Sequence, residues 1–104
     1  MEQNKDKYTH IYDQAGDAGD AFLDMILKEA ETSALDSKTH ELAYLAVLAA
    51  IRLESGIKMH TKEAKRLGAT REEVKSAILV SLPAIGFPAI MALKTALASY
   101  DELD

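Results

Sequence analysis

The chain has 104 residues, 48% of them hydrophobic and 28% charged, with a formal net charge of -5 and no cysteine. That length fits one domain with one core, and the balance of apolar to charged residues describes a globular rather than a disordered chain. The acidic balance argues against nucleic acid or an anionic membrane as main partner, since both need a concentrated cationic surface. The missing cysteines exclude disulfides, thiolate metal sites and thiol chemistry, and fit a reducing compartment.

Met1 to Lys7 is polar and charged, with no apolar segment of the kind a secretory signal needs. No apolar run approaches the roughly 18 residues of a membrane span, so the expectation is a soluble, cytoplasmic protein with no membrane contact. Residues 1–16 read as a flexible or docking segment of a single domain over 1–104, and Tyr8, His10, Ile11 and Tyr12 give it a small aromatic cluster. Gly16 and Gly19 then loosen the chain. Asp17 or Asp20 is placed to cap a helix in which Phe22, Leu23, Ile26 and Leu27 recur at helical spacing, ending near Glu31.

Asp36 stands before an apolar run and is the expected N-cap of a second helix reaching about Glu54, where Ser55 and Gly56 interrupt it. Between Leu42 and Ile51 this helix has no charge, and the Tyr44 hydroxyl is its one polar side-chain group. A helix that is apolar all round must be covered on all sides. A chain this small has little protein to spare for that, so the run implies a partner subunit. A third helix is expected over Ile57 to Leu67, with Ile57, His60, Ala64 and Leu67 on one face and Gly68 at the left-handed position that ends it. Thr70 and Glu73 form a capping box for a fourth helix, which Pro83 disrupts. After a break at Ala84 to Phe87, Pro88 opens a fifth helix running to about Tyr100. No segment alternates as a strand would. The fold class is therefore all-α, a compact bundle of about five to six helices joined by short connections.

His60 is the leading functional candidate, because imidazole exchanges protons near neutrality; the competing role is a hydrogen-bonded core or interface histidine. Glu41 lies at the start of the apolar helix, either complementing its dipole or standing at the edge of an apolar pocket. In a simple hairpin Glu41 sits about 18 Å down the helix from Leu53. It would then meet His60 only through a less simple packing or across a subunit boundary. Glu54 and Glu63 read as solvated charges. His10 and His40 lack zinc-site spacing, so no metal is expected. Tyr44 could orient a ligand or make a structural hydrogen bond. The segment Gly86-Phe87-Pro88-Ala89 exposes a helix start whose N–H groups, from Ala89 and Ile90 onward, could receive an anion; the alternative is a plain interhelical kink.

Four stretches carry a resemblance: Leu35-Asp36-Ser37-Lys38-Thr39-His40-Glu41-Leu42, Gly56-Ile57-Lys58-Met59-His60-Thr61-Lys62-Glu63-Ala64, Leu67-Gly68-Ala69-Thr70-Arg71-Glu72-Glu73-Val74, and Gly86-Phe87-Pro88-Ala89. In this order and spacing, the chain from about Phe22 to Leu97 resembles the carboxymuconolactone decarboxylase family, which includes the alkylhydroperoxidase D-like proteins. The family's peroxidase branch carries C-x-x-C-x-x-x-H with an upstream glutamate. His60 and Glu41 match its histidine and glutamate, whereas Leu53 and Gly56 stand at the cysteine positions. Thiol peroxidase activity is therefore excluded chemically. The decarboxylase branch keeps the histidine and a Gly-x-Pro-Ala segment like Gly86 to Ala89. The resemblance then implies a cofactor-independent lyase acting on a small carboxylated or lactone substrate, or a non-catalytic ligand-binding or structural descendant. It implies His60 and Glu41 as catalytic residues, with Arg52, Lys58, Tyr44, Gly86, Pro88 and Ala89 toward the substrate. It also implies a homotrimer or homohexamer.

Overall fold

The computed structural model describes residues 12–103. Tyr8, His10 and Ile11 of the expected aromatic cluster lie outside the described residues. The chain forms two compact units, divided after Ala34.

The first unit holds a 3₁₀ turn at Asp13–Ala15 and helix α1 at Asp17–Thr32. Neither expected aspartate caps α1. Its N-cap is Gly16, at φ 59°, with no side-chain capping bond, while Asp17 and Asp20 fall in the first turn facing the positive end of the dipole. Gly19 lies under the preceding turn, where any Cβ would run into the Tyr12 carbonyl oxygen. This close approach lets the Tyr12 ring pack on Phe22, centroid to centroid at 5.6 Å.

The second unit comprises α2 (Ser37–Ile51), α3 (Glu54–Arg66), α4 (Arg71–Leu79), α5 (Leu82–Ile85) and α6 (Phe87–Asp101). Every described element of both units is helical or irregular, which makes the chain all-α as expected. Helix α2 packs on α3 and α4, and α6 packs on both of those. The core joins Leu45, Leu48 and Ala49 of α2 to Ile57 and Ala64 of α3, Val74 and Ile78 of α4, and Ala92 and Ala96 of α6. Alanines at these contacts let helix backbones approach closely. On α6 the buried positions Ala89, Ala92, Ala96 and Ser99 follow helical spacing, and the Ser99 hydroxyl donates to the Lys58 carbonyl at 2.9 Å.

Asp36 caps α2 as expected, accepting from the Thr39 N–H at 2.8 Å. The Thr70–Glu73 capping box is present in both directions. Glu73 also accepts from Lys38 Nζ at 3.1 Å, so one carboxylate ties the start of α4 to the start of α2. Arg71 and Asp101 form a bidentate pair at 2.9 Å that joins α4 to the end of α6.

The α2–α3 boundary differs from expectation. Helix α2 stops at Ile51, and Ser55 and Gly56 belong to the first turn of α3. The chain reverses because Arg52 adopts the left-handed conformation, φ 61° and ψ 37°. The Leu53 N–H reaches back to the Leu48 carbonyl at 3.0 Å and the Arg52 N–H to the Ala49 carbonyl at 3.2 Å, the paired bonds of a Schellman ending. Glycine usually occupies such a position. A side chain there costs about 1–2 kcal/mol. Gly56 serves packing instead: a Cβ on it would sit 3.2 Å from Leu48 Cδ2 and 3.3 Å from Leu53 Cδ2.

Two further boundaries shift. Helix α4 ends at Leu79, and Pro83 lies in the first turn of the short α5 rather than ending α4. Helix α6 begins at Phe87 with Pro88 second, and Gly86 at φ 71° makes the bend between α5 and α6. Glu63 also departs from expectation. It is only 8% exposed and is held by Arg66, Nε at 2.9 Å and an outer nitrogen at 2.6 Å.

Next to His60, the fully buried Thr61 hydroxyl has no hydrogen-bond partner among the described residues. Burying an unpaired hydroxyl costs about 1–3 kcal/mol. The near-isosteric Thr61→Val is therefore expected to raise the urea-derived unfolding free energy by about 1 kcal/mol; a loss of stability would mean that the hydroxyl is satisfied.

Three surface carboxylates ionise more readily than usual, which links stability to acid pH. The Thr39 backbone bond holds Asp36 below the ordinary carboxylate range, and the Thr70 backbone bond, then Lys38, does the same for Glu73. Arg71 lowers Asp101 in the same way. Groups depressed in the folded state contribute stability that is complete above their unfolded values, about 4. This contribution is lost as pH falls through their folded values. Tm is expected to fall as pH drops from about 5 toward 3, and Asp36→Asn with Glu73→Gln should flatten that fall. An unchanged acid slope in the double variant would contradict this.

Candidate active site

The α2–α3 hairpin positions the acid/base candidates. His60 lies seven residues past Leu53, so α3 climbs back about 10 Å alongside α2. This return leaves about 8 Å of axial offset from Glu41, a gap two side chains can span. The expectation that a simple hairpin would separate Glu41 from His60 overlooked this return. His60 Nδ1 and Glu41 Oε1 are hydrogen-bonded within one chain.

Glu41 is the fifth residue of α2, beyond its first turn, and Asp36 does the capping. This leaves the Glu41 carboxylate for His60. Both side chains are mostly buried, Glu41 the more so. The Tyr44 ring meets the imidazole edge-on, with centroids 4.7 Å apart and planes at 80°. An ionised carboxylate only accepts, so the Nδ1 facing it carries a proton. In the neutral ring this makes Nε2 the basic nitrogen. The three side chains come from two packed helices rather than from a loop, which restricts their rotamers.

The remaining expected site residues separate from this pair. Arg52 and Pro88 line a cleft of about 290 Å³ with Ala49, Glu54, Ile57, Phe87, Met91 and Ala92, and neither His60 nor Glu41 lines it. Lys58 is exposed on α3, and its backbone carbonyl is used by Ser99. Gly86 shapes the bend. Ala89 is buried and its N–H bonds to the Gly86 carbonyl at 2.9 Å, so, contrary to expectation, it is not available to an anion. Phe87 falls within the segment singled out from the sequence, whereas the Met91 contribution to the cleft had no signal beyond the nearby proline break. His40 is half-buried on α2, and no cluster of three His, Asp or Glu side chains suited to a metal occurs among the described residues. His10 lies outside them.

The match to a family model named carboxymuconolactone decarboxylase family covers residues 16–99. The chain belongs to the carboxymuconolactone decarboxylase family. It is also 35% identical over 85 residues to a protein of Paracoccus denitrificans named uncharacterized protein 4 in cox locus, a match covering 82% of this chain and 77% of that one. No solved structure matches it. In this family member the histidine and glutamate on which the resemblance rests are the two side chains that the hairpin pairs. Leu53 and Gly56, at the positions of the peroxidase branch's cysteines, instead pack with Leu48 at the turn.

Proposed function

We propose that the protein is a cofactor-independent acid/base lyase of decarboxylase type, acting on a small carboxylated or lactone substrate. The observation that carries this reading is the His60–Glu41 pair, a mostly buried imidazole whose Nδ1 is held by a carboxylate. Such a pair fixes the tautomer and orients Nε2 for proton transfer. In decarboxylation of a β,γ-unsaturated acid whose alkene is conjugated to a lactone carbonyl, the bond to the carboxylate breaks and CO₂ leaves. The electron pair spreads through the alkene onto the carbonyl oxygen as a dienolate, and protonated His60 delivers a proton to carbon from Nε2. Solvent then returns the proton to the ring. No nicotinamide, flavin or metal enters this scheme.

The site works within a homotrimer or homohexamer. Supporting this, Val47 and Ile51 are 53% and 63% exposed and lie with Tyr44 along one side of α2, beside the acid/base pair. The cysteine-free composition suits a cytoplasmic setting.

The test is a thermal-shift screen of small carboxylic acids and lactones, followed by CO₂ release and product analysis for each stabilising compound. A ligand at a hundred times its Kd stabilises by about 2.7 kcal/mol, enough to be seen in Tm. Compounds whose stabilising effect is lost in His60→Ala, yet which the parent protein never turns over, would leave a binding protein and defeat the lyase reading.

A further inference from the structure

Arg52 is the one non-glycine residue with positive φ among those described. Glycine would fill that position without strain. The arginine is therefore not explained by the turn it makes. Nor is it explained by an ion pair, since its guanidinium has no hydrogen-bond or salt-bridge partner among the described residues. It lines instead the 290 Å³ cleft between the α2–α3 turn and the start of α6.

Much of the lining is apolar: Phe87 is 70% exposed and Met91 46%, with Pro88 between them in sequence and Ile57 also lining the cleft. A dry cavity of roughly 150 Å³ already accommodates benzene, so this space suits one ring or branched chain with a short polar arm. The second charged side chain at the cleft is Glu54, whose carboxylate accepts from the Thr95 hydroxyl at 3.2 Å. One cation beside one anion disfavours a dianion. It leaves room for a single carboxylate on the Arg52 side, where a planar guanidinium can make two parallel bonds.

We propose that this cleft is a binding site for a small amphipathic monocarboxylic acid. Arg52 holds the carboxylate, and Phe87, Met91 and Ile57 receive the apolar body. The inference stands apart from the lyase reading, because binding at Arg52 is measured without turnover and none of the acid/base side chains lines the cleft.

The test is a titration of the full chain, labelled with ¹³C at its methionine methyls, with 3-phenylpropionate and with neutral 3-phenylpropanamide. The Met91 methyl is expected to shift saturably with the acid, at a Kd on the order of 0.1–5 mM for a ligand this small. The Met59 and Met25 methyls should stay nearly still. Arg52→Gly should weaken binding at least about tenfold, as loss of a charge-assisted bidentate contact would. It should also raise Tm, because glycine suits φ 61°. Glu54→Gln should tighten binding. Equal affinity for acid and amide, an unmoved Met91, full affinity in Arg52→Gly, or a lower Tm in that variant would each overturn the proposal.

Discussion

Leu48→Ala is expected to remove about 2–5 kcal/mol of stability, the range for truncating a fully buried leucine. Small domains have about 5–15 kcal/mol in total, so a large share is at risk. Leu48 is 1% exposed, sits in the core and supplies the carbonyl that closes the α2 ending. Its two methyls also lie where a Cβ on Gly56 would reach. This contact gives a sign test. In the parent protein Gly56→Ala crowds Leu48 and should destabilise, despite alanine's helix preference of about 1 kcal/mol. In the Leu48→Ala background only the Leu53 methyl remains close, on a half-exposed side chain that can yield, so the preference should dominate and make the change stabilising. Urea denaturation of the four proteins measures the coupling. Additive effects would show that Gly56 and Leu48 do not share that space.

The second large effect is on rate. For a substrate turned over by the protein, His60→Ala is expected to lower kcat by about 10²–10⁴, the usual contribution of a positioned acid/base group. Removing the ring also strands the Glu41 carboxylate, which is 13% exposed. Some stability should be lost with it, because an unpaired charge at low exposure is costly. His60→Gln keeps an amide donor near Glu41 but cannot exchange protons, so it should lose the rate with less loss of Tm. Glu41→Ala should cost less than removing the imidazole and should release the tautomer preference, visible in ¹⁵N spectra of the ring. A His60→Gln enzyme within about threefold of the parent kcat would remove His60 from the chemistry, given the contribution expected of such a group.

Legibility in the sequence followed the locality of each interaction. Asp36 and the Thr70–Glu73 box were readable because a helix start is written in four adjacent residues. The all-α class followed from apolar spacing, which needs no knowledge of neighbours. The α2–α3 turn was unreadable because its left-handed residue is an arginine, while the nearby glycine that resembles a break is needed for packing against Leu48. Glu63 looked solvated because its partner Arg66 sits on the same helix face, and burial of that face is a tertiary fact. His60 and Glu41 were legible as individuals. Their meeting was not, because it depends on how far α3 returns along α2. The cleft depends on α6 approaching the α2–α3 turn, and no local pattern encodes that.

The His60–Glu41 contact spans only 19 positions of sequence, and the two helices that carry it are consecutive. Closing a loop of that size costs on the order of 2–3 kcal/mol, little more than a loop half as long. Helical hairpins of low contact order form in microseconds to milliseconds. The His60–Glu41 pair can thus take shape early in folding, once α2 and α3 dock. The pair is encoded in one contiguous segment. Insertions beyond Arg66 can reshape the surrounding walls over evolutionary time without re-aiming the imidazole.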